Sequence, residues 1–262
     1  KKSLAIKDAL GNRPGMASSY HQLGMVAQYR GSLDAAEDWY KKSLTINEAL
    51  GNSPDIASTY HQLGIVAELR GMLDTAEDWY KKSLAIEEAL GNLPGMAGSY
   101  HHLGIVAQRR DMLDTAEDWY KKCLAISEAL GDRPGMASSY HQLGMVAQRR
   151  GMLDAAEGWY KKSLVINDSL GNSADIASSY GQLGLLAEER GNPPQALQWT
   201  IRSLTLFEEF GHPATRPALQ NLFRLTQAHG EAMLAEAWHV VTGDDVPDAL
   251  ITAIREAKDK ET

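Results

Sequence analysis

The chain has 262 residues, of which 44% are hydrophobic, enough for a packed core, and its 34 acidic residues outnumber 26 basic ones for a net charge of −8. That acidic balance, with no run of basic residues, argues against a reader of nucleic-acid phosphates or anionic lipid, and no apolar stretch approaches the ~18 residues of a membrane span. Cys123 is the only cysteine, so no internal disulfide can form; with no signal peptide in the first residues, this fits a reducing, cytoplasmic setting.

A fixed period governs most of the chain. Trp39, Trp79, Trp119, Trp159 and Trp199 stand 40 residues apart, as do Tyr20, Tyr60, Tyr100, Tyr140 and Tyr180. Such a period predicts stacked units, each burying its apolar face on the next. Residues 1–40 and 41–80 differ at twelve places, which favours recent amplification, natural or engineered, over long divergence.

In chain order, residues 1–10 match 41–50 and therefore read as the second half of a unit. The array is expected to start mid-repeat, with Leu4, Ile6 and Leu10 short of neighbours and an end open to self-association. Units follow near 14–50, 54–90, 94–130, 134–170 and 174–210, each a pair of helices. In the unit 54–90, Ile56, Ala57, Tyr60, Leu63, Gly64 and Ala67 recur at helical spacing. Leu73, Ala76, Tyr80, Ser83, Leu84 and Leu90 do the same in its second half. Gly71 and Gly91 interrupt the pattern where helices should end, Asp74 suits a first turn, and Pro54 falls where a missing N–H costs least. Gly24, Gly64, Gly104, Gly144 and Gly184 should let the two helices approach closely, with Ala36, Ala76, Ala116, Ala156 and Ala196 opposite. Cys123 takes the small-residue slot of Ser43, Ser83, Ser163 and Ser203, so packing is its expected role. The last unit departs from the pattern at Gly181, Leu197 and Thr200. Residues 217–229 and 231–242 suggest one degenerate pair. Val246, Ala249, Leu250, Ala253, Ile254 and Ala257 then form one stripe of a capping helix, so 213–262 is read as a terminal cap on a 1–212 array.

The order Tyr-x-x-Leu-Gly-x-x-Ala, then Gly-x-Leu-Asp-x-Ala-Glu-x-Trp-Tyr-Lys-Lys-Ser-Leu-x-Ile, resembles a tetratricopeptide repeat lengthened from 34 to 40 residues. Pro54-Asp55-Ile56-Ala57 and Ala76-Glu77 with Tyr80-Lys81-Lys82 are similar to the kinesin-light-chain variety, which also occurs in bacterial signalling proteins. The resemblance implies an all-α, right-handed α-solenoid of antiparallel helix pairs with C-terminal capping helices. It implies a non-catalytic scaffold whose concave groove, lined by first helices, holds a peptide or partner helix. The alternative it carries is a sensor or regulatory region in a larger bacterial nucleotide-switch protein.

On the first helices, the implied groove residues are His21, Met25, Tyr29, His61, Ile65, His101, His102, Ile105, Arg109, His141, Met145 and Arg149. The histidines form a ladder that is either a solvated wall or a partner contact. Metal binding is disfavoured because adjacent residues such as His101 and His102 point about 100° apart on a helix. Met25, Ile65, Ile105, Met145 and Leu185 either complete the packing or offer an adaptable apolar floor. The pairs Gln28-Tyr29, Glu68-Leu69, Gln108-Arg109, Gln148-Arg149 and Glu188-Glu189 vary most, and selectivity would be written there. Arg109 and Arg149, with histidines protonating below about 6.5, point to a protein or peptide partner of acidic character. The Lys and Asn of the chaperone-tail clamp are missing: His21 or His61 and Met25 or Ile65 stand there. His-Glu-x-x-His, Cys-x-x-Cys, Gly-x-Ser-x-Gly and the phosphate-loop signature are absent, so no catalytic residue, metal, cofactor, nucleic-acid or membrane partner is expected.

Overall fold

The computed structural model describes residues 7, 9–209 and 215–259. Leu4, Ile6 and the side chain of Ala257, invoked above at the two ends, lie outside the described residues. Those residues form thirteen α-helices and no strand: α1 (Arg13–Tyr29), α2 (Leu33–Leu50), α3 (Ser53–Leu69), α4 (Leu73–Leu90), α5 (Leu93–Arg109), α6 (Leu113–Leu130), α7 (Arg133–Arg149), α8 (Leu153–Leu170), α9 (Ser173–Glu189), α10 (Pro193–Glu209), α11 (Thr215–His229), α12 (Glu231–Thr242) and α13 (Asp248–Asp259). They fall into two compact units, Lys1–Gly131 and Asp132–Thr262. The first holds the pairs α1–α2, α3–α4 and α5–α6; the second holds α7–α8 and α9–α10, followed by α11 to α13. Within each unit the partners of a pair run antiparallel and successive pairs stack.

Local chemistry sets the helix ends. Gly51, Gly91, Gly131 and Gly171 end the second helices in the left-handed region, with φ of 64° to 68°, a conformation that costs a side-chain-bearing residue about 1 kcal/mol or more. At the first of these, the Gly51 and Asn52 amides donate back to the Glu48 and Asn47 carbonyls at 3.2 and 3.0 Å, satisfying carbonyls that the helix end would orphan. Asn12, Asn92, Asp132 and Asn172 each cap the following helix by accepting from the amide three residues on. Asn52 instead donates its side-chain amide to Asp55 at 2.7 Å. Asp111 replaces the usual glycine between the helices of its pair and keeps the positive φ, 61°.

Packing within a pair centres on one contact. Tyr40, Tyr80, Tyr120 and Tyr160, on the second helices, are completely buried. Each ring lies against Gly24, Gly64, Gly104 or Gly144 of the first helix, where an added Cβ would come within 2.5 Å of the ring. The tyrosine hydroxyls donate across the pair to Gln28 (2.9 Å), Glu68 (2.9 Å), Gln108 (2.9 Å) and Gln148 (2.8 Å), so the buried phenols keep a polar partner. Ser43, Ser83 and Ser203 add bonds of 2.7 to 2.9 Å to the Ala17, Ala57 and Ala177 carbonyls. Cys123 is buried in the same slot.

A second aromatic layer joins the two helices of each pair. Tyr20, Tyr60 and Tyr100 stack on Trp39, Trp79 and Trp119 in the first unit, and Tyr140 and Tyr180 on Trp159 and Trp199 in the second, with centroids 5.3 to 5.6 Å apart. Lys42, Lys82, Lys122 and Lys162 place their ammonium groups 4.2 to 4.4 Å above those indole rings. Between stacked pairs, Arg70, Arg110 and Arg190 each reach back to an Asp and a Glu of the preceding second helix: Asp34 and Glu37, Asp74 and Glu77, Asp154 and Glu157. Such pairs at the surface add roughly 0 to 1 kcal/mol each. In the second unit Leu222, Leu225, Leu234, Trp238 and Ile254 close the core, with Val246 and Leu250 partly buried against it.

The glycine contact separates two substitutions of identical chemistry. Gly104→Ala drives a methyl into the buried Tyr120 ring and should destabilise the chain by about 1 to 3 kcal/mol. Gly158→Ala, on the exposed face of α8 with nothing within 4 Å, should stabilise by about 0.5 to 1 kcal/mol by removing backbone freedom from the unfolded chain. Urea unfolding midpoints of the two variants should therefore move in opposite directions.

Candidate functional site

Every residue expected in the groove lies on a first helix, and the two units carry separate shares. His21, Met25, Tyr29, His61, Ile65, His101, His102, Ile105 and Arg109 are in the first unit; His141, Met145 and Arg149 are in the second. Their exposures differ although their positions in the repeat are equivalent. Met25 is 49% exposed, Tyr29 93% and Leu69 59%, whereas Ile65, Ile105 and Met145 are half-buried. Arg109 and Arg149 are exposed and the histidines are half-buried. The apolar strip thus divides: Met25, Leu185 and the last-turn positions Tyr29 and Leu69 are open, while Ile65, Ile105 and Met145 are half-buried.

The histidines are less solvated than a ladder facing open water would be. His21, His61, His101 and His141 each lean on the buried tyrosine of their own pair, with centroids 5.3, 5.5, 6.0 and 5.5 Å apart. Burial lowers the pKa of all four, and Asp55 and Asp175 partly offset it at His21 and His141. At His61 and His101 burial and the neighbouring His102 bring the value down to about 4. The expected gain of positive charge below pH 6.5 therefore does not occur at these two rings. Their environment disfavours the imidazolium until the solution is far more acidic.

The middle of the first unit contains a cluster that helix geometry alone did not suggest. His102 stacks on Tyr80 at 4.9 Å and meets His61 edge-on at 5.0 Å and His101 at 5.5 Å. Its Nδ1 lies 3.1 Å from the Glu68 carboxylate, which also accepts from the Tyr80 hydroxyl. Burial alone would push the Glu68 pKa up, but the hydrogen bonds from His102 and Tyr80 and the nearby charges of His102 and Arg109 hold it below the usual carboxylate value. Arg109 donates to the Glu68 carbonyl at 2.9 Å and sits 3.8 Å from its carboxylate, so this arginine is already engaged with the preceding pair. Two departures from the repeat mark the cluster in the sequence: Glu68 where Gln28, Gln108 and Gln148 stand, and His102 where Gln22, Gln62, Gln142 and Gln182 stand. Each looks isolated until the fold makes them partners. The same logic recurs in the second unit, where Glu188 receives two hydrogen bonds from Arg224.

Among the described residues, no group of three or more His, Cys, Asp or Glu side chains is arranged to hold a metal ion, and no helix is long and apolar enough to cross a membrane. What the first-helix faces provide is a surface of open apolar residues beside neutral rings and internally paired charges, suited to contact with another chain.

A repeated helix pair of this form, with Gly facing a buried Tyr, defines the class of helical-repeat proteins. The profile of one family, described as tetratricopeptide repeat, matches residues 4–89 and 95–168, more than half of the chain, and the chain belongs to that family. Its members typically serve protein–protein interaction and are typically non-catalytic. Solved structures with the same fold include BtubC (BKLC) from P. vanneervenii, 20% identical with a TM-score of 0.72 over 81% of this chain and 90% of that one. A putative kinesin light chain of Podosopora anserina with nearly identical repeats is 18% identical, TM-score 0.62, over 75% and 97%. The signal-transduction ATPase PH0952 of Pyrococcus horikoshii, which has a tetratricopeptide repeat sensor, is 15% identical with a TM-score of 0.73, over 94% of this chain but 38% of that one. No curated protein gives a significant sequence match.

The buried rings generate a pH prediction. A folded-state pKa of about 4 against 6.5 means that between these values the unfolded chain binds protons that the folded chain refuses, so stability falls as pH drops through that window. Moving from pH 7 to pH 5 should cost on the order of 1 to 2 kcal/mol per ring. Replacing His61 and His101 together by Gln should remove most of that loss, as read from urea unfolding at the two pH values.

Proposed function

We propose that the chain is a protein-interaction module whose first-helix faces form a groove for an extended peptide or a partner helix. The observation that carries this reading is the exposure of Leu69 on a helix whose Leu63 and Val66 are buried in packing, together with that of Met25, Val26 and Tyr29 on α1. Among the positions expected in the groove, the last-turn pair is the least uniform, as expected of positions that select a partner rather than hold the fold. Arg109 is tied to Glu68, so apolar contact rather than attraction to an acidic segment supplies the main part of the affinity. Acidic residues in the peptide act secondarily, through the outward donors of the arginines.

Peptides selected from a random displayed library against the whole chain test this. Tyr29→Ser with Leu69→Ser should weaken their binding at least tenfold, whereas Lys81→Glu with Lys82→Glu, on the second-helix face, should leave it within about twofold. Binding that falls steeply with added salt would instead favour an acidic, charge-led partner. Binding indifferent to Tyr29 and Leu69 would place the interaction elsewhere.

One comparison favours a second reading, as the sensor region of a nucleotide-switch protein. In PH0952 the part that superposes on 94% of this chain is 38% of that protein and a repeat sensor belongs to it. On this reading a selected peptide should change the rate of nucleotide hydrolysis of a parent protein that carries such a switch domain, and an unchanged rate would set the reading aside.

A further inference from the structure

The pair α9–α10 keeps the repeat's backbone but loses its two inner rings. In α7–α8 the His141 ring leans on the buried Tyr160 ring, whose hydroxyl donates to Gln148. At the equivalent places α9–α10 has Gly181 and Thr200, while Gly184, the residue that makes room for a ring, is retained. Thr200 turns its hydroxyl back to the Ala196 carbonyl at 2.8 Å, and Glu188, which stands where Gln148 receives the phenol, is bound instead to Arg224. A pocket of about 470 Å³ opens between α9, α10 and α11, lined by Ala177, Gly181, Leu185, Thr200, Ala218 and Asn221 among others. Its volume falls within the range of about 300 to 1,000 Å³ typical of ligand sites. Its walls are mainly apolar, and Gln182, Gln220 and Asn221 give it a polar edge.

We propose that this pocket receives the aromatic side chain of a bound peptide, a tyrosine ring above all, beside Gly181 and Thr200, where the preceding pair carries rings of its own. The inference rests on the groove reading and names one anchor for it. Two observations favour a ring over an aliphatic chain. The side chains missing beside the pocket, at Gly181 and Thr200, are rings in the preceding pair; and Gln182 and Asn221 can exchange hydrogen bonds with a phenol. A buried ring of this kind supplies large contact area at small entropic cost, the usual character of an interface anchor.

The test is calorimetric titration of the whole chain with N-acetyl-tyrosine N-methylamide, beside its leucine counterpart and p-cresol. The tyrosine compound should bind at least tenfold more tightly than the leucine compound. Gly181→His with Thr200→Tyr, which restores the rings, should reduce that binding at least tenfold and raise the melting midpoint. Gly181→His alone guards against misfolding, because a Cβ there meets only Ser203 Oγ at an ordinary 3.6 Å; it should weaken binding in the same direction. Equal affinity for leucine and tyrosine, no binding, or undiminished binding by the refilled chains would overturn the proposal. Binding of p-cresol as tight as that of the blocked amino acid would overturn the peptide source in favour of a free small aromatic. Library peptides that bind through Tyr29 and Leu69 while the tyrosine compound does not bind would sink this inference and leave the groove reading standing; the converse result would do the opposite.

Discussion

The close approach of a glycine to a buried tyrosine is the contact on which the rest of each unit depends. A first helix without a Cβ at Gly64 lets the Tyr80 ring lie flat against its backbone, and the ring's burial sets the distance between the two helices. That distance puts the Tyr80 hydroxyl within reach of Glu68 and the Ser83 hydroxyl within reach of the Ala57 carbonyl. Four residues before Gly64, Tyr60 stacks on Trp79, under the Lys82 ammonium. One small residue therefore sets the packing of its pair, because close-packed interiors transmit a change of even one methyl group.

Near-identity of units makes the exceptions informative. Glu68 and Glu188 replace a glutamine that elsewhere accepts from tyrosine, and each is matched by a new partner 34 or 36 residues later, His102 or Arg224. A buried or half-buried carboxylate costs free energy unless it is hydrogen-bonded or paired, so the two changes compensate one another. Gly181 and Thr200 are an exception of another kind: two rings are removed, and the pocket beside them, about 470 Å³, is larger than its counterparts of about 180 and 260 Å³. Variation thus follows two patterns. Where charge enters the interior a partner follows it, and where bulk leaves a pocket remains.

The histidines illustrate how context changes the meaning of a residue type. Four of them, one per pair, would supply cationic character near neutral pH if solvated. Each instead shares a wall with the buried tyrosine, and the crowding of His61, His101 and His102 disfavours a further positive charge. His61 and His101, brought down to about 4, are polar walls that stay neutral over the physiological range, burial lowers His21 and His141 in the same direction, and the exposed apolar character of the first helices comes from Met25, Val26, Tyr29, Leu69 and Leu185.

The sequence alone determined the 40-residue period, the two helices in each unit, the glycine breaks, the proline positions and the small residues between paired helices. These features are local: apolar spacing, caps and left-handed glycines act within one helix or across one turn, so linear order is enough to read them. It also identified every groove residue as a first-helix residue, since position in the repeat carries over from unit to unit. Only the tertiary structure decided that Arg109 is held by Glu68, that His102 belongs with Tyr80 and Glu68, that Tyr29 and Leu69 are the open apolar sites, and that Gly181 and Thr200 leave a pocket. Each of these depends on residues 19 to 41 positions apart meeting at a set distance. Solvation, and with it a pKa or an empty volume, follows from all the neighbours at once rather than from the type of any one residue.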